Sequence, residues 1–224
     1  MGIRENIKEL KDEIEKYSPY PERVILLPTT KYVDANGVLE VVEAGCGIVG
    51  ENRVQALMEK KEKLDDLGKT DIEWHFIGNL QKNKVKYIGP FIEMIHSVNK
   101  LSLAKEIDKR AKQNKRRIKA LLEVNISMEE SKEGYSLERL YEELPSLIEL
   151  ENIEICGLMT MAPFTAKEDE IKKVFSDLRE LKEKLNETHF HGKLTELSMG
   201  MTNDYKIALL EGATILRVGS KIFK

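Results

Sequence analysis

The chain has 224 residues, 41% of them hydrophobic and 33% charged, and a formal net charge of −3. A chain of this length and composition has room for one sizeable core, so the expected organisation is one globular domain over 1–224, without the basic excess that draws nucleic acid. No apolar run approaches the roughly 18 residues of a membrane span, and Met1-Gly2-Ile3-Arg4-Glu5-Asn6 lacks a signal peptide's apolar core; a cytoplasmic protein with no membrane contact is expected.

Ile7, Leu10, Ile14 and Tyr17 recur at helical spacing and predict an opening amphipathic helix over 3–17. Val24-Ile25-Leu26-Leu27 follows as the first strand, running on through Pro28-Thr29-Thr30 to Lys31. A helix from about Asp34 leads to a second strand at 46–49, then a helix over 54–67 and a third strand at 73–77. A short helix over 81–88, a strand at 91–96, a helix over 100–113, a strand at 120–125 and a helix over 137–150 continue the alternation. The sixth strand spans 153–159. Thr165 and Glu168 read as a capping-box pair ahead of the apolar stripe Ile171, Val174, Phe175, Leu178, Leu181 and Leu185. A weak strand at 194–197, a helix over 204–210 and a strand at 214–218 complete the series.

Eight strands alternating with helices predict an α/β fold, a single (β/α)₈ TIM-type barrel with an extra N-terminal helix. A doubly wound sheet fits less well, because no glycine fingerprint follows the first strand. Cys46 and Cys156 stand in apolar runs without CxxC spacing and read as buried free thiols. His96, His189 and His191 have no ligand spacing with carboxylates or cysteines, so no metal is expected.

In such a barrel the loops after the strands build the site, and here those strand ends are polar and glycine-rich. They carry Lys31, Gly50-Glu51-Asn52, His75 with Gly78-Asn79, His96-Ser97, Asn125, Met159-Thr160, Ser198-Met199-Gly200 and Arg217-Val218-Gly219-Ser220. A lysine just past a buried strand is either partly desolvated, and so nucleophilic toward an aldehyde, or an ordinary solvated lysine. The residues alone leave both readings of Lys31 open.

The strings Gly50-Glu51-Asn52, Trp74-His75-Phe76-Ile77-Gly78-Asn79-Leu80-Gln81-Lys82-Asn83-Lys84, Gly157-Leu158-Met159, Leu197-Ser198-Met199-Gly200-Met201 and Arg217-Val218-Gly219-Ser220 decide between them. Spread over nearly the whole chain, they resemble the pyridoxal phosphate homeostasis protein family, which is similar in fold to the N-terminal barrel of alanine racemase. The resemblance implies bound pyridoxal 5′-phosphate held as a Schiff base on Lys31, with Arg217 on the pyridine nitrogen. Gly219 and Ser220, joined by Ser198 and Gly200, then suit a phosphate cradle, because glycine permits close backbone approach. The alternative for those glycines is a pair of tight turns, and for Arg217 a salt bridge across the barrel interior. Asn52 either orients the cofactor ring or serves as a turn asparagine, and His75, inward by period-two alternation, lies near the cofactor or is a structural histidine.

Two departures from the family pattern stand out: Pro28-Thr29-Thr30 replaces the small apolar residues and serine usual before the lysine, and the chain stops at Phe223-Lys224, where relatives continue for several residues. The resemblance implies a carrier or regulator of intracellular vitamin B6 homeostasis, monomeric and without robust catalysis, with apo pyridoxal phosphate-dependent enzymes as its partners. The racemase takes its second base from an additional β-domain, for which this chain has no room. The alternatives are a small single-domain amino-acid racemase or related enzyme, and a barrel that holds another phosphorylated ligand without a covalent link. Lys82, Lys84 and Lys132 read either as transient aldehyde acceptors near the mouth or as solvated loop lysines.

Overall fold

In the computed structural model, which describes residues 2–129, 133–164 and 167–224, eight parallel strands form one sheet in the order β1-β8-β7-β6-β5-β4-β3-β2. The strands are β1 Ile25–Pro28, β2 Ile48–Glu51, β3 Glu73–Phe76, β4 Met94–Val98, β5 Ile118–Glu123, β6 Ile153–Met159, β7 Glu196–Ser198 and β8 Ile215–Val218. Around them lie α1 Ile3–Tyr17, α2 Ala35–Glu43, α3 Val54–Asp66, α4 Val85–Ile88, α5 Leu101–Gln113, α6 Leu137–Ile148, α7 Glu168–Leu185, α8 Tyr205–Leu210 and α9 Ser220–Phe223. β1 pairs with β8 from Ile25↔Ile215 to Pro28↔Val218, and it meets β2 through the bridge Thr29↔Gly50 and a Thr30 N–H to Gly50 O bond of 2.9 Å. The sheet therefore closes on itself as the expected barrel.

Alternation along each strand sends one set of side chains outward under the helices and the other inward. The outer set makes the larger core, into which α1 inserts Ile7, Leu10 and Ile14. The inner set makes a smaller one from Leu27, Met94, Leu121, Cys156, Met159 and Ile215. Truncating a fully buried leucine or isoleucine of either core to alanine costs roughly 2–5 kcal/mol. Both cysteines are buried and unpaired, as expected. No helix among the described residues is long and apolar enough to cross a membrane.

Four strand starts differ from the sequence reading by two or more residues, among them β7, which begins at Glu196 instead of Leu194. β2 starts at Ile48 instead of Cys46 and runs on to Glu51, while β5 starts at Ile118 instead of Ala120. β4 starts at Met94, because Phe91 and Ile92 are spent in the turn after α4, where their N–H groups bond Ile88 O. That shift places His96 in the middle of β4, fully buried, and not at a strand end. Thr165 lies outside the described residues; at the start of α7 the Glu170 carboxylate accepts from the Lys167 N–H at 3.3 Å.

Candidate functional site

A cavity of about 580 Å³ opens where the strands end, within the range of small-molecule sites. Lys31 reaches its wall from the turn after β1, Asn52 from the loop after β2, and Arg217, Gly219 and Ser220 from β8 and the turn beyond. These five sequence-derived candidates meet in one place.

Lys31 is exposed, with Nζ 4.7 Å from the Tyr32 ring centroid. The expected desolvation therefore does not hold. Thr30 is the last buried residue of the segment, and Lys31 already belongs to the turn that carries the chain to Asp34, whose carboxylate caps α2 through the Asn36 and Gly37 N–H groups at 3.0 and 3.1 Å.

Arg217 is buried in the cavity floor. Nη1 donates to Ser198 Oγ at 2.6 Å and Nη2 to Thr160 O at 2.9 Å. Burial pulls its pKa down to about 10, against the opposing charges of Asp204 and Glu123, so it remains a cation at neutral pH. No carboxylate among the described residues comes within ion-pair distance of it, which removes the salt-bridge alternative. Burial raises Asp204 despite a 2.5 Å bond from the Met201 N–H and the charge of Arg217. Burial likewise pushes Glu123 up to about 7, eased by Arg217 and aggravated by Glu133.

The turn after β8 is tightly built. Ser220 Oγ donates to Thr202 Oγ1 at 3.1 Å, and a Cβ on Gly219 would stand 3.3 Å from Thr29 O and 3.4 Å from the Tyr32 ring. An added Cβ would press on Thr29 O and the Tyr32 ring, so glycine leaves the approach of this turn to the lysine-bearing turn unhindered.

Three expected site residues do not line the cavity. Ser198 is fully buried beneath it, with its hydroxyl between Arg217 and His96 Nδ1 at 2.9 Å. Gly200 is glycine for a backbone reason: its φ is +90°, and a Cβ would lie 2.5 Å from Ala208 Cβ of α8. His75 does face inward, but it is buried below the floor and bonded to His96 Nε2 at 3.0 Å and Glu73 Oε1 at 3.1 Å. Lys82 and Lys84 stand exposed in a short 3₁₀ turn and are absent from the wall, and Lys132 lies outside the described residues.

Sequence reasoning missed Thr202, Asn203 and Asp204, which follow the Ser-Met-Gly-Met string directly, and Glu123, hidden in the apolar run of β5. Two buried hydroxyls on the wall, Thr29 Oγ1 and Ser97 Oγ, have no hydrogen-bond partner among the described residues; the sequence reading names Ser97 among the polar strand ends without a role and assigns none to Thr29. Such orphans are rare unless a ligand or water completes them. Among the described residues no His, Cys, Asp and Glu group is arranged to hold a metal ion.

A family model described as alanine racemase, N-terminal domain, matches residues 3–224. The pyridoxal phosphate homeostasis protein of Aquifex aeolicus is 42% identical over 198 residues, covering 88% of this chain and 85% of its own. Two solved structures of PipY from Synechococcus elongatus, with and without PLP bound, are similar to it at a TM-score of 0.90, with 34% and 35% identity, over 99% of this chain and 100% of theirs.

Proposed function

This chain belongs to the pyridoxal phosphate homeostasis protein family, and from that premise we propose that it binds pyridoxal 5′-phosphate in the strand-end cavity and acts as an intracellular carrier or regulator of that cofactor. The observation that carries this reading is the convergence of an amine, a donor-only cation and a tight glycine turn on one wall: Lys31, Arg217 and Gly219-Ser220. The residues present suit the group. The orphaned Thr29 and Ser97 hydroxyls supply unused hydrogen-bond capacity, and the Gly219 turn is a cradle that any Cβ would fill.

When bound, pyridoxal phosphate supplies an aldehyde that condenses with an amine, forming a C=N bond and releasing water, and a ring that withdraws electrons. Lys31 offers that amine at the mouth. Thr202 and the backbone N–H groups beside Gly219 would offer donors to the phosphate, joined by Ser220 once its hydroxyl hydrogen turns from Thr202. Asn52, across the mouth, orients the ring. Arg217, which can only donate, holds the ring nitrogen as an acceptor and so unprotonated. An unprotonated ring is a weak electron sink, which favours holding the cofactor over carbanion chemistry.

One observation keeps an enzymatic reading alive: the Glu123 carboxylate, 4% exposed and on the cavity wall, has no hydrogen-bond partner among the described residues and titrates near neutrality. A group so poised suits general-base work. Purified protein incubated with pyridoxal phosphate should acquire a visible absorbance band, and borohydride reduction with peptide mapping should find the pyridoxyl group on Lys31. A band with mapping elsewhere would overturn the site. Amino-acid racemisation by the wild-type protein, abolished in Glu123→Gln, would overturn the carrier reading in favour of the enzymatic one.

A further inference from the structure

Below the cavity floor, four contacts join Arg217 to the opposite end of the barrel. Arg217 Nη1 meets Ser198 Oγ at 2.6 Å, Ser198 Oγ meets His96 Nδ1 at 2.9 Å, His96 Nε2 meets His75 Nδ1 at 3.0 Å, and His75 Nε2 meets Glu73 Oε1 at 3.1 Å. Ser198, His96 and His75 are at most 1% exposed, whereas the Glu73 side chain, at the first residue of β3, is 41% exposed.

The two ends of this series have one role each. A guanidinium has no acceptor atom, so Ser198 Oγ must accept from Arg217 and direct its own hydrogen elsewhere; His96 Nδ1 is the partner it has. His96 Nδ1 is then bare and its proton sits on Nε2, which donates to His75 Nδ1. That leaves the His75 proton on Nε2, facing a carboxylate that can only accept. Counting from Glu73 gives the same answer. The hydrogens and lone pairs match at every contact, and all four bonds point from Arg217 toward Glu73. Burial, with the charge of Arg217 acting in the same direction, holds His96 well below the ordinary histidine range and so neutral, as the assignment requires. Reversing any one bond would leave Ser198 with two donors aimed at it and a hydroxyl hydrogen without an acceptor, an expensive arrangement in a buried site.

We propose that Glu73, His75, His96 and Ser198 act as one directional series of positioning residues that orients the Arg217 guanidinium toward the cavity from the opposite mouth of the barrel. The cofactor half of this inference rests on the pyridoxal phosphate reading above; the hydrogen-bond half stands without it. The series also accounts for two buried histidines that do not line the cavity.

Two measurements test it. With the half-buried His189 and the exposed His191 replaced by glutamine, two-bond proton–nitrogen correlation of the remaining imidazoles, without added cofactor, should show both His75 and His96 as Nε2–H tautomers at neutral pH. An Nδ1–H tautomer at either residue overturns the series. The second compares Glu73→Leu, which deletes the terminal acceptor at an exposed position, with Glu73→Gln, which keeps an acceptor oxygen. Glu73→Leu should populate the Nδ1–H tautomer of His75, weaken pyridoxal phosphate binding about threefold and shift the visible band of the loaded protein, while Glu73→Gln behaves as wild type. Ser198→Ala, one bond from the guanidinium, should weaken binding about tenfold. Unchanged tautomers, affinity and band in Glu73→Leu would overturn the positioning role. If the wild-type protein gives no visible band at all, the pyridoxal phosphate reading fails, and the tautomers alone decide the series.

Discussion

The Thr30 hydroxyl donates to the Glu51 carboxylate at 2.7 Å across the seam where β1 meets β2. That carboxylate is fully buried and also takes the Asn52 N–H at 3.2 Å and the Lys60 ammonium, which itself donates to Thr30 O at 2.7 Å. Side chains here supplement a pairing that the backbone makes through one bridge. The residues that immediately follow, Lys31 and Asn52, inherit their places on the cavity wall from this clip.

Lys60→Met should destabilise the protein by about 3–5 kcal/mol, because it leaves the Glu51 carboxylate buried without its cation. Adding Glu51→Gln to Lys60→Met should recover part of that loss, so urea unfolding of the two single variants and the double variant should give strongly non-additive values. Simple additivity would mean that the two residues do not act as a pair.

Lys31→Ala should leave folding stability within about 0.5 kcal/mol of wild type, since the residue is exposed and its ring contact with Tyr32 is at the surface. The same variant should lose the visible band and all borohydride-trapped pyridoxyl label. Retention of label at wild-type stoichiometry would place the reactive amine elsewhere.

Glu123 carries a pH signature. Its folded pKa is raised to about 7, so between the ordinary carboxylate value of 4.5 and 7 the folded protein binds more protons than the unfolded chain. Stability must therefore fall as pH rises through that window, by up to about 3 kcal/mol from this group. Glu123→Gln should match wild type near pH 4.5 and exceed it at pH 8. Denaturant titrations of the two proteins across that interval check this, and parallel curves would remove Glu123 as the cause.

The two glycine turns should respond differently to substitution. Gly219→Val crowds Thr29 O and Tyr32 and should abolish the preference for pyridoxal phosphate over pyridoxal, with Ser220→Ala a milder version. Gly200→Ala, strained by its φ of +90° and by contact with Ala208, should lower Tm with or without the cofactor. Competition binding with the two aldehydes, set beside thermal unfolding, separates the cases. A Gly219→Val protein that still discriminates by phosphate would move the cradle.

The barrel was legible because its alternation of apolar runs and helical stripes is strong, as in α1 and β6, whose bounds agree with the spacing at both ends. The starts of β2 and β4 were not, since apolar residues such as Cys46 and Phe91 look the same in a loop that packs under a helix as in a strand. Lys31, Asn52, Arg217, Gly219 and Ser220 stand among the polar strand ends, and the family resemblance singles them out. His75 and Ser198 could not be placed, because a period of two says that a side chain points inward without saying at what depth along the barrel axis. One layer separates a wall of the cavity from the support beneath it.

The outer clasp of the barrel has a temporal meaning. Asn6 of α1 donates to Ile222 O of α9 at 3.0 Å across 216 residues of sequence, Glu9 and Glu13 pair with Lys221, and Glu13 also takes the Tyr205 hydroxyl at 2.5 Å. A ribosome adding about 5–20 residues per second needs roughly 10–40 s to pass from the first of these partners to the last. For that interval the stripe of Ile7, Leu10 and Ile14 has α2 and little else of its native surroundings to cover it. The Gly219 turn is completed by the same final residues, so the molecule becomes competent to hold a ligand in the act of covering its own first helix, and a nascent chain short of that point should present an apolar surface to chaperones in place of a binding cavity.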